Sequence, residues 1–243
     1  MNNLKQEDKE VSHESGSILN ARLRRRSFLQ YAGAGAAGVA LMAAGCSKDN
    51  DPSGPEEPPV VPSDETVTFG TGDNAVLNYA YALEQLEAAF YTKVVENFYT
   101  GISATEKDYL TDIQLHEIAH REVFRNALGG NAIGRLTFDF SSIDFTKRDS
   151  VLKAAMAFED LGVSAYNGVA SLLSNKEYLL LAAKIVSVEA RHAAFLREAV
   201  EPNSFAKTVV NSAGIETSRK PSDVWSIVAP YVTTKINTST LPA

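Results

Sequence analysis

Between residues 74 and 200 apolar residues recur at three- and four-residue steps, the period of helices that each bury one face. Leu77, Ala80, Leu83, Phe90, Val94 and Phe98 form the first stripe, on a helix expected from Asn74 to Tyr99 and stopped by Gly101. The second opens at Ser103 or Thr105, whose hydroxyl suits an N-terminal cap, with Glu106 in the first turn. It carries Leu110, Ile113, Phe124 and Leu128 to the Gly129-Gly130 stop. A third helix is expected from about Asp149 to Leu173, through Leu152, Ala155, Met156, Val163 and Val169. The fourth follows from Lys176 to about Val200, where Pro202 ends it.

The connections set the topology. Helices one and two, and three and four, are joined by a few residues, so each pair is expected as an antiparallel hairpin. Residues 129–146, with Phe138, Phe140 and Phe145, separate the hairpins. A helix of about 25 residues is roughly 37 Å long, and about eighteen extended residues reach roughly 60 Å. The link can therefore cross the whole bundle. The expected fold is all-α: a four-helix bundle of two antiparallel hairpins joined by one long crossover. Residues 203–243 are expected as a C-terminal extension packing on the bundle, with the only Trp, Trp225, near a short helix at 222–230.

Charged residues sit where the stripes call for core. The second stripe reads Leu110, Ile113, Glu117, His120, Phe124; the third reads Ala155, Glu159, Gly162, Tyr166, Val169. The fourth reads Ala182, Val186, Glu189, Ala193, Leu196, with His192 one turn beyond Glu189, and the first carries Glu84 and Glu87. A buried ionised carboxylate without a partner is costly enough to neutralise instead. An acid on the inner face of all four helices calls for compensation, and a cation provides it.

The spacing then repeats. Glu84 and Tyr91, seven apart, are followed by Glu117-x-x-His120; Glu159 and Tyr166, also seven apart, are followed by Glu189-x-x-His192. Positions i and i+3 share a helix face, so each Glu-x-x-His presents an oxygen and an imidazole nitrogen to one point. Each Tyr is expected beside the inner site of its own Glu, either as a core aromatic or as a phenol donating to a carboxylate. The two hairpins read as near copies, which predicts a pseudo-twofold site of four carboxylates and two histidines. Two carboxylate-bridged ions fit that donor set, and its mix of oxygen and imidazole suits iron or manganese. On the first helix Glu87 is the alternative to Glu84. His116 is expected as a hydrogen-bonded flank rather than a ligand, and Arg121, Arg191 and Arg197 as surface or hairpin-pairing charges.

Composition narrows the function. The chain has 243 residues, a formal charge of −7 and a single Cys. The acidic balance argues against nucleic-acid binding, and one Cys excludes a disulfide framework or a multi-thiolate metal site. That Cys lies in an address segment. Arg22, Arg24, Arg25 and Arg26 precede a short Gly/Ala-rich apolar stretch and then Ala43-Ala44-Gly45-Cys46. Residues 1–45 are read as an export signal that resembles the twin-arginine type, through Arg25-Arg26-Ser27-Phe28-Leu29. The residues around Cys46 resemble a lipoprotein cleavage site, which implies lipidation of Cys46. Residues 46–67 are read as a Pro-rich linker, 68–202 as the bundle and 203–243 as the extension. The expected location is the cell envelope, facing the periplasm or the cell surface. Only a lipid anchor would touch the membrane.

The segments LEQLEAAFY, HEIAHREVF, AFEDLGVSAY and VEARHAAFLR resemble the ferritin-like di-metal carboxylate superfamily, and within it the secreted or desiccation-related ferritin-like proteins. The resemblance implies a ferritin-like bundle whose metal ligands would be Glu84, Glu117, His120, Glu159, Glu189 and His192, holding two Fe or Mn ions. The resemblance gives the site more firmly than the reaction; the donor set and the expected export lead to redox chemistry with peroxide or dioxygen in oxidative-stress protection, peroxidase- or manganese-catalase-like. The alternative is a non-catalytic envelope or stress-protection module in which the metal is structural or absent. A homodimer is left open.

Overall fold

The computed structural model describes residues 58–243. The segment expected to be an export signal, Cys46 and the first part of the expected linker lie outside the described residues. Four long helices carry the domain: α1 (Gly72–Glu96), α2 (Ala104–Leu128), α3 (Arg148–Val169) and α4 (Lys176–Val200). Their ends follow local chemistry. Ser103 Oγ accepts from the Glu106 amide at 3.1 Å to cap α2, and the Asn175 side chain accepts from the Glu177 amide at 2.8 Å to cap α4. Gly129, at a φ of 53°, turns the chain out of α2 in a conformation that side chains rarely adopt. The third helix ends short of Leu173 because its last turn tightens into a 3-10 segment, Ala170–Leu172.

α1 and α2 form one antiparallel hairpin and α3 and α4 the other. Across the hairpins, Tyr91 meets Glu159 and Tyr166 meets Glu84, so α1 and α3 run antiparallel. Tyr109 packs on Phe195 and His116 meets His192, so α2 and α4 also run antiparallel. That arrangement makes α2 and α3 parallel. The link between them must therefore return along the full bundle, as its length allows.

The crossover tracks α1 from one end to the other. The Asn78 side chain accepts from the Ile133 amide and donates to the Asn131 carbonyl. Seven residues on, the Gln85 side chain accepts from the Leu136 amide at 2.8 Å and donates to the Gly134 carbonyl. Phe90 then packs edge-on against Phe140 and tilted against Phe145, and the Thr100 amide donates to the Thr146 carbonyl past the end of α1. A buried loop must satisfy its own peptide groups. The two amide side chains on α1 do that, and α1 is consequently the most thoroughly buried helix of the bundle.

The chain on either side of the bundle also packs on it. A short helix α5 (Pro221–Val228) buries Trp225 edge-on against Phe69. Residues 58–67, assigned above to the linker, lie on the domain instead of standing off it. Val61 donates from its amide to the Arg135 carbonyl, and the Arg135 amide to the Pro59 carbonyl. The strand β1 (Thr66–Val67) pairs in parallel with β2 (Lys235–Ile236). Val61 and Val67 are both buried, and these apolar residues are what hold the Pro-rich segment down. Among the described residues no helix is long and apolar enough to cross a membrane.

Residues 203–220 cross α3 at Gly168, where an added Cβ would stand 1.8 Å from the Arg219 carbonyl oxygen. Alanine in an unobstructed helix gains about 1 kcal/mol over glycine. Here the clash is with backbone and cannot be relieved by a rotamer change. Gly168→Ala is expected to destabilise the chain by about 1–3 kcal/mol, read as a lowered midpoint in chemical unfolding; an unchanged or raised midpoint would contradict the close approach.

Candidate metal centre

The inner faces of the four helices meet at a cluster of acids and imidazoles. Glu84 of α1, Glu117 of α2 and Glu159 of α3 have no exposure at all, and Glu189 of α4 has 1%. Each helix is anchored around its acid by large apolar neighbours: Phe90 on α1, Leu110 and Phe124 on α2, Leu152 on α3 and Leu196 on α4. The stripes that bury these side chains carry the acids inward with them.

The two histidines cross between hairpins. His120 Nδ1 lies 2.6 Å from Glu189 Oε1, 3.5 Å from Glu117 Oε2 and 3.6 Å from Glu84 Oε2. His192 Nδ1 lies 2.9 Å from Glu117 Oε1 and 3.4 Å from both Glu159 Oε2 and Glu189 Oε2. Two groups result, Glu84–Glu117–His120–Glu189 and Glu117–Glu159–Glu189–His192, each with its ligand-type atoms within 4.8 Å of one another. Glu117 and Glu189 belong to both. Each hairpin thus lends one carboxylate to the other's group, the arrangement that two carboxylate-bridged cations require.

The donor set fits metal ions. Glu84 Oε2, both oxygens of Glu117, Glu159 Oε2, both oxygens of Glu189 and Nδ1 of each histidine are buried without a well-formed hydrogen bond. Leaving even one such group unsatisfied costs about 1–3 kcal/mol, and here they all converge. Lone pairs aimed at a common interior are what a buried cation needs, and hard carboxylate with imidazole suits first-row divalent ions.

The outer oxygens are already engaged. Tyr91 OH donates to Glu159 Oε1 at 2.6 Å, and Tyr166 OH makes a short hydrogen bond to Glu84 Oε1. Each phenol therefore serves the acid of the other helix, not the acid seven residues before it. The reason is geometric: seven residues advance about 10.5 Å along a helix. Between antiparallel α1 and α3 that step brings each Tyr level with the opposite Glu. Glu84 and Glu159 are left with one oxygen apiece, Oε2, facing the cluster.

The remaining candidates separate. Glu87 is buried at 3% exposure but belongs to neither group. Its carboxyl occupies the notch at Gly162, where an added Cβ would stand 3.0 Å from Glu87 Oε1. His116 Nδ1 lies 2.9 Å from His192 Nε2, on the far side of that ring from the acids. Arg197 pairs α4 to α3, its Nε donating to Asp160 Oδ1 at 2.8 Å. Arg121 pairs with Glu122, its neighbour in sequence. Asn78 and Gln85 have no counterpart in the sequence reading. Their signal was available, as two amides seven apart flanking the apolar stripe of the first helix.

Burial and crowding decide the protonation of the cluster. Burial first, then the charge of Glu189, pushes Glu84 from its ordinary 4.5 up to about 8. Burial followed by neighbouring carboxylates raises Glu87, and burial dominates the rise of Glu159 although His192 opposes it. Burial disfavours the charged imidazole of His120 and of His192, but the surrounding carboxylates outweigh it and raise both. Glu189 goes the other way: burial is overcome by the adjoining imidazoles of His120 and His192, which hold it well below the carboxylate range.

These directions have a sign. A group whose pKa is higher folded than unfolded stabilises the fold fully at low pH, and that contribution fades as pH rises between the two values. For Glu84 the window runs from 4.5 to about 8, and Glu87, Glu159 and both histidines act in the same direction. Glu189 contributes stability above the ordinary carboxylate pKa and loses it as pH falls below that value, outside that window. The metal-free chain is therefore expected to melt at a lower temperature at about pH 8 than at about pH 5. Thermal melts of the chelator-stripped protein check this, and a midpoint rising with pH would contradict it.

The profile of the ferritin-like domain matches residues 72–202, from the first residue of α1 to just beyond α4. No match was found among curated proteins. With the match covering more than half of the chain and all four helices that meet at the cluster, the chain belongs to the ferritin-like domain family.

Proposed function

We propose that this protein holds two iron or manganese ions between Glu84, Glu117, His120, Glu159, Glu189 and His192, and consumes peroxide as an exported oxidative-stress protein. The observation that carries the reading is the sharing of Glu117 and Glu189 between two adjoining four-residue groups. When bound, iron or manganese would supply reversible one- and two-electron chemistry and a coordination position for a small oxidant.

The chain's own residues set the terms of that chemistry. Tyr91 and Tyr166 hold one oxygen of Glu159 and Glu84 by hydrogen bonds, which orients the other inward. Glu117 and Glu189 each offer both oxygens, one to each group. The His120 side chain keeps 12% exposure while the four carboxylates around it are closed. His120 of α2 is therefore the member of the cluster nearest to solvent. Disproportionation of two hydrogen peroxide molecules to dioxygen and two waters balances without an external reductant. That matters in a chain whose single Cys lies at position 46, far outside the bundle sequence.

Export and lipid attachment belong to this reading and rest on the sequence of residues 22–46. Among the alternatives, a structural metal would leave the same ligand set and give no turnover. Metal analysis of the full-length chain by inductively coupled plasma mass spectrometry tests the centre. About two equivalents of Fe or Mn per chain are expected, with the loss of most of that metal in His120→Ala/His192→Ala. Unchanged metal content in the double variant would sink the ligand assignment. Full metal loading without peroxide consumption would move the protein to the non-catalytic reading.

A further inference from the structure

His116 stands one residue before Glu117 on α2, and its ring meets the ring of His192 from α4. The two planes are within 8° of parallel and the centroids are 5.2 Å apart. With His116 Nδ1 2.9 Å from His192 Nε2, that centroid separation is reached only when both nitrogens lie near the line joining the rings. The contact is an in-plane, edge-to-edge hydrogen bond.

The other nitrogen of His192, Nδ1, faces Glu117, Glu159 and Glu189. A His192 that gives its Nδ1 lone pair to a cation carries its proton on Nε2. That N–H then donates to His116 Nδ1, and His116 keeps its own proton on Nε2. An imidazole ligand whose far nitrogen is bonded is fixed in both tautomer and ring orientation.

The twofold relation between the hairpins fails at this point. Glu117 and His120 correspond to Glu189 and His192, so the residue corresponding to His116 is Val188. A valine side chain accepts no hydrogen bond. His120 therefore lacks, at the equivalent position, the partner that His192 has.

We propose that His116 is the positioning residue of His192, so that the half of the centre built on His192 depends on it and the half built on His120 does not. This rests on the two-metal reading above. It adds that the two ions bind with unequal affinity and that the inequality is set outside the ligand sphere.

The test is a titration of the metal-free, full-length protein with Co2+, followed by visible d–d absorption. The wild type is expected to fill in two resolvable steps. His192→Ala should abolish one step and His120→Ala the other, which assigns them. His116→Ala should weaken the His192 step by about tenfold to a hundredfold and leave the His120 step within about twofold. His116→Asn, whose amide oxygen falls near the place of Nδ1, should restore most of the loss, which a purely space-filling role would not.

The outcomes are distinct. A wild type that takes up no cobalt sinks the metal reading and this inference with it. A wild type that binds two ions overturns the role of His116 alone if His116→Ala moves both steps equally or neither. So does an asparagine variant that behaves like the alanine one. If the alanine variant does not fold, the asparagine variant decides: near-wild-type steps are expected, and a selective loss of the His192 step overturns the assignment.

Discussion

Five carboxylates, those of Glu84, Glu87, Glu117, Glu159 and Glu189, share the interior of one helical bundle at 3% exposure or less. Their mutual repulsion in a dry interior is the constraint that the rest of the domain answers. Two histidines bridge between hairpins to meet them, two phenols take up their outer oxygens, and Gly162 gives way so that a fifth carboxyl can fit. Remove the requirement to hold these acids together, and an ordinary apolar core would fold the same four helices more stably. The bundle carries an electrostatic load that bound cations would relieve.

Much of this was legible in the sequence, because it follows from local rules. Helix ends fell near Ser103, Gly129, Asn175 and Pro202, since caps and breakers act within a turn. The paired Glu-x-x-His spacing located the cluster, since three residues on a helix always share a face. What the sequence hid was relational. The phenols exchange acids between α1 and α3, and no one-dimensional spacing states the register in which those two helices meet. The different surroundings of Glu84 and Glu87 depend on a glycine notch on another helix. The docking of residues 58–67 came from the few valines among the prolines, which composition averages away.

The hairpins are near copies in sequence, yet neither is complete without the other. Each group of ligand-type atoms takes three residues from one hairpin and one from its mate, Glu189 or Glu117. A chain of two such halves gains its site only when both have formed and met. The crossover along α1 is what makes the meeting obligatory. Asn78 and Gln85 pin it at points two turns apart, so α3 is delivered to α1 in a single register.

The short stretch before α1 has a mechanical meaning as well. The chain is fastened to the Arg135 segment at residues 59–61 and again to the strand at 235–236 before it enters the first helix. Tension on the upstream chain would load these backbone hydrogen bonds first. The fastening at 135 lies on the crossover and the one at 235 on the tail, so a pull would reach two separate segments in turn. The helices that hold the acids would feel it last, so a pull on the chain ahead of α1 would spend itself on these fastenings before it deformed the centre.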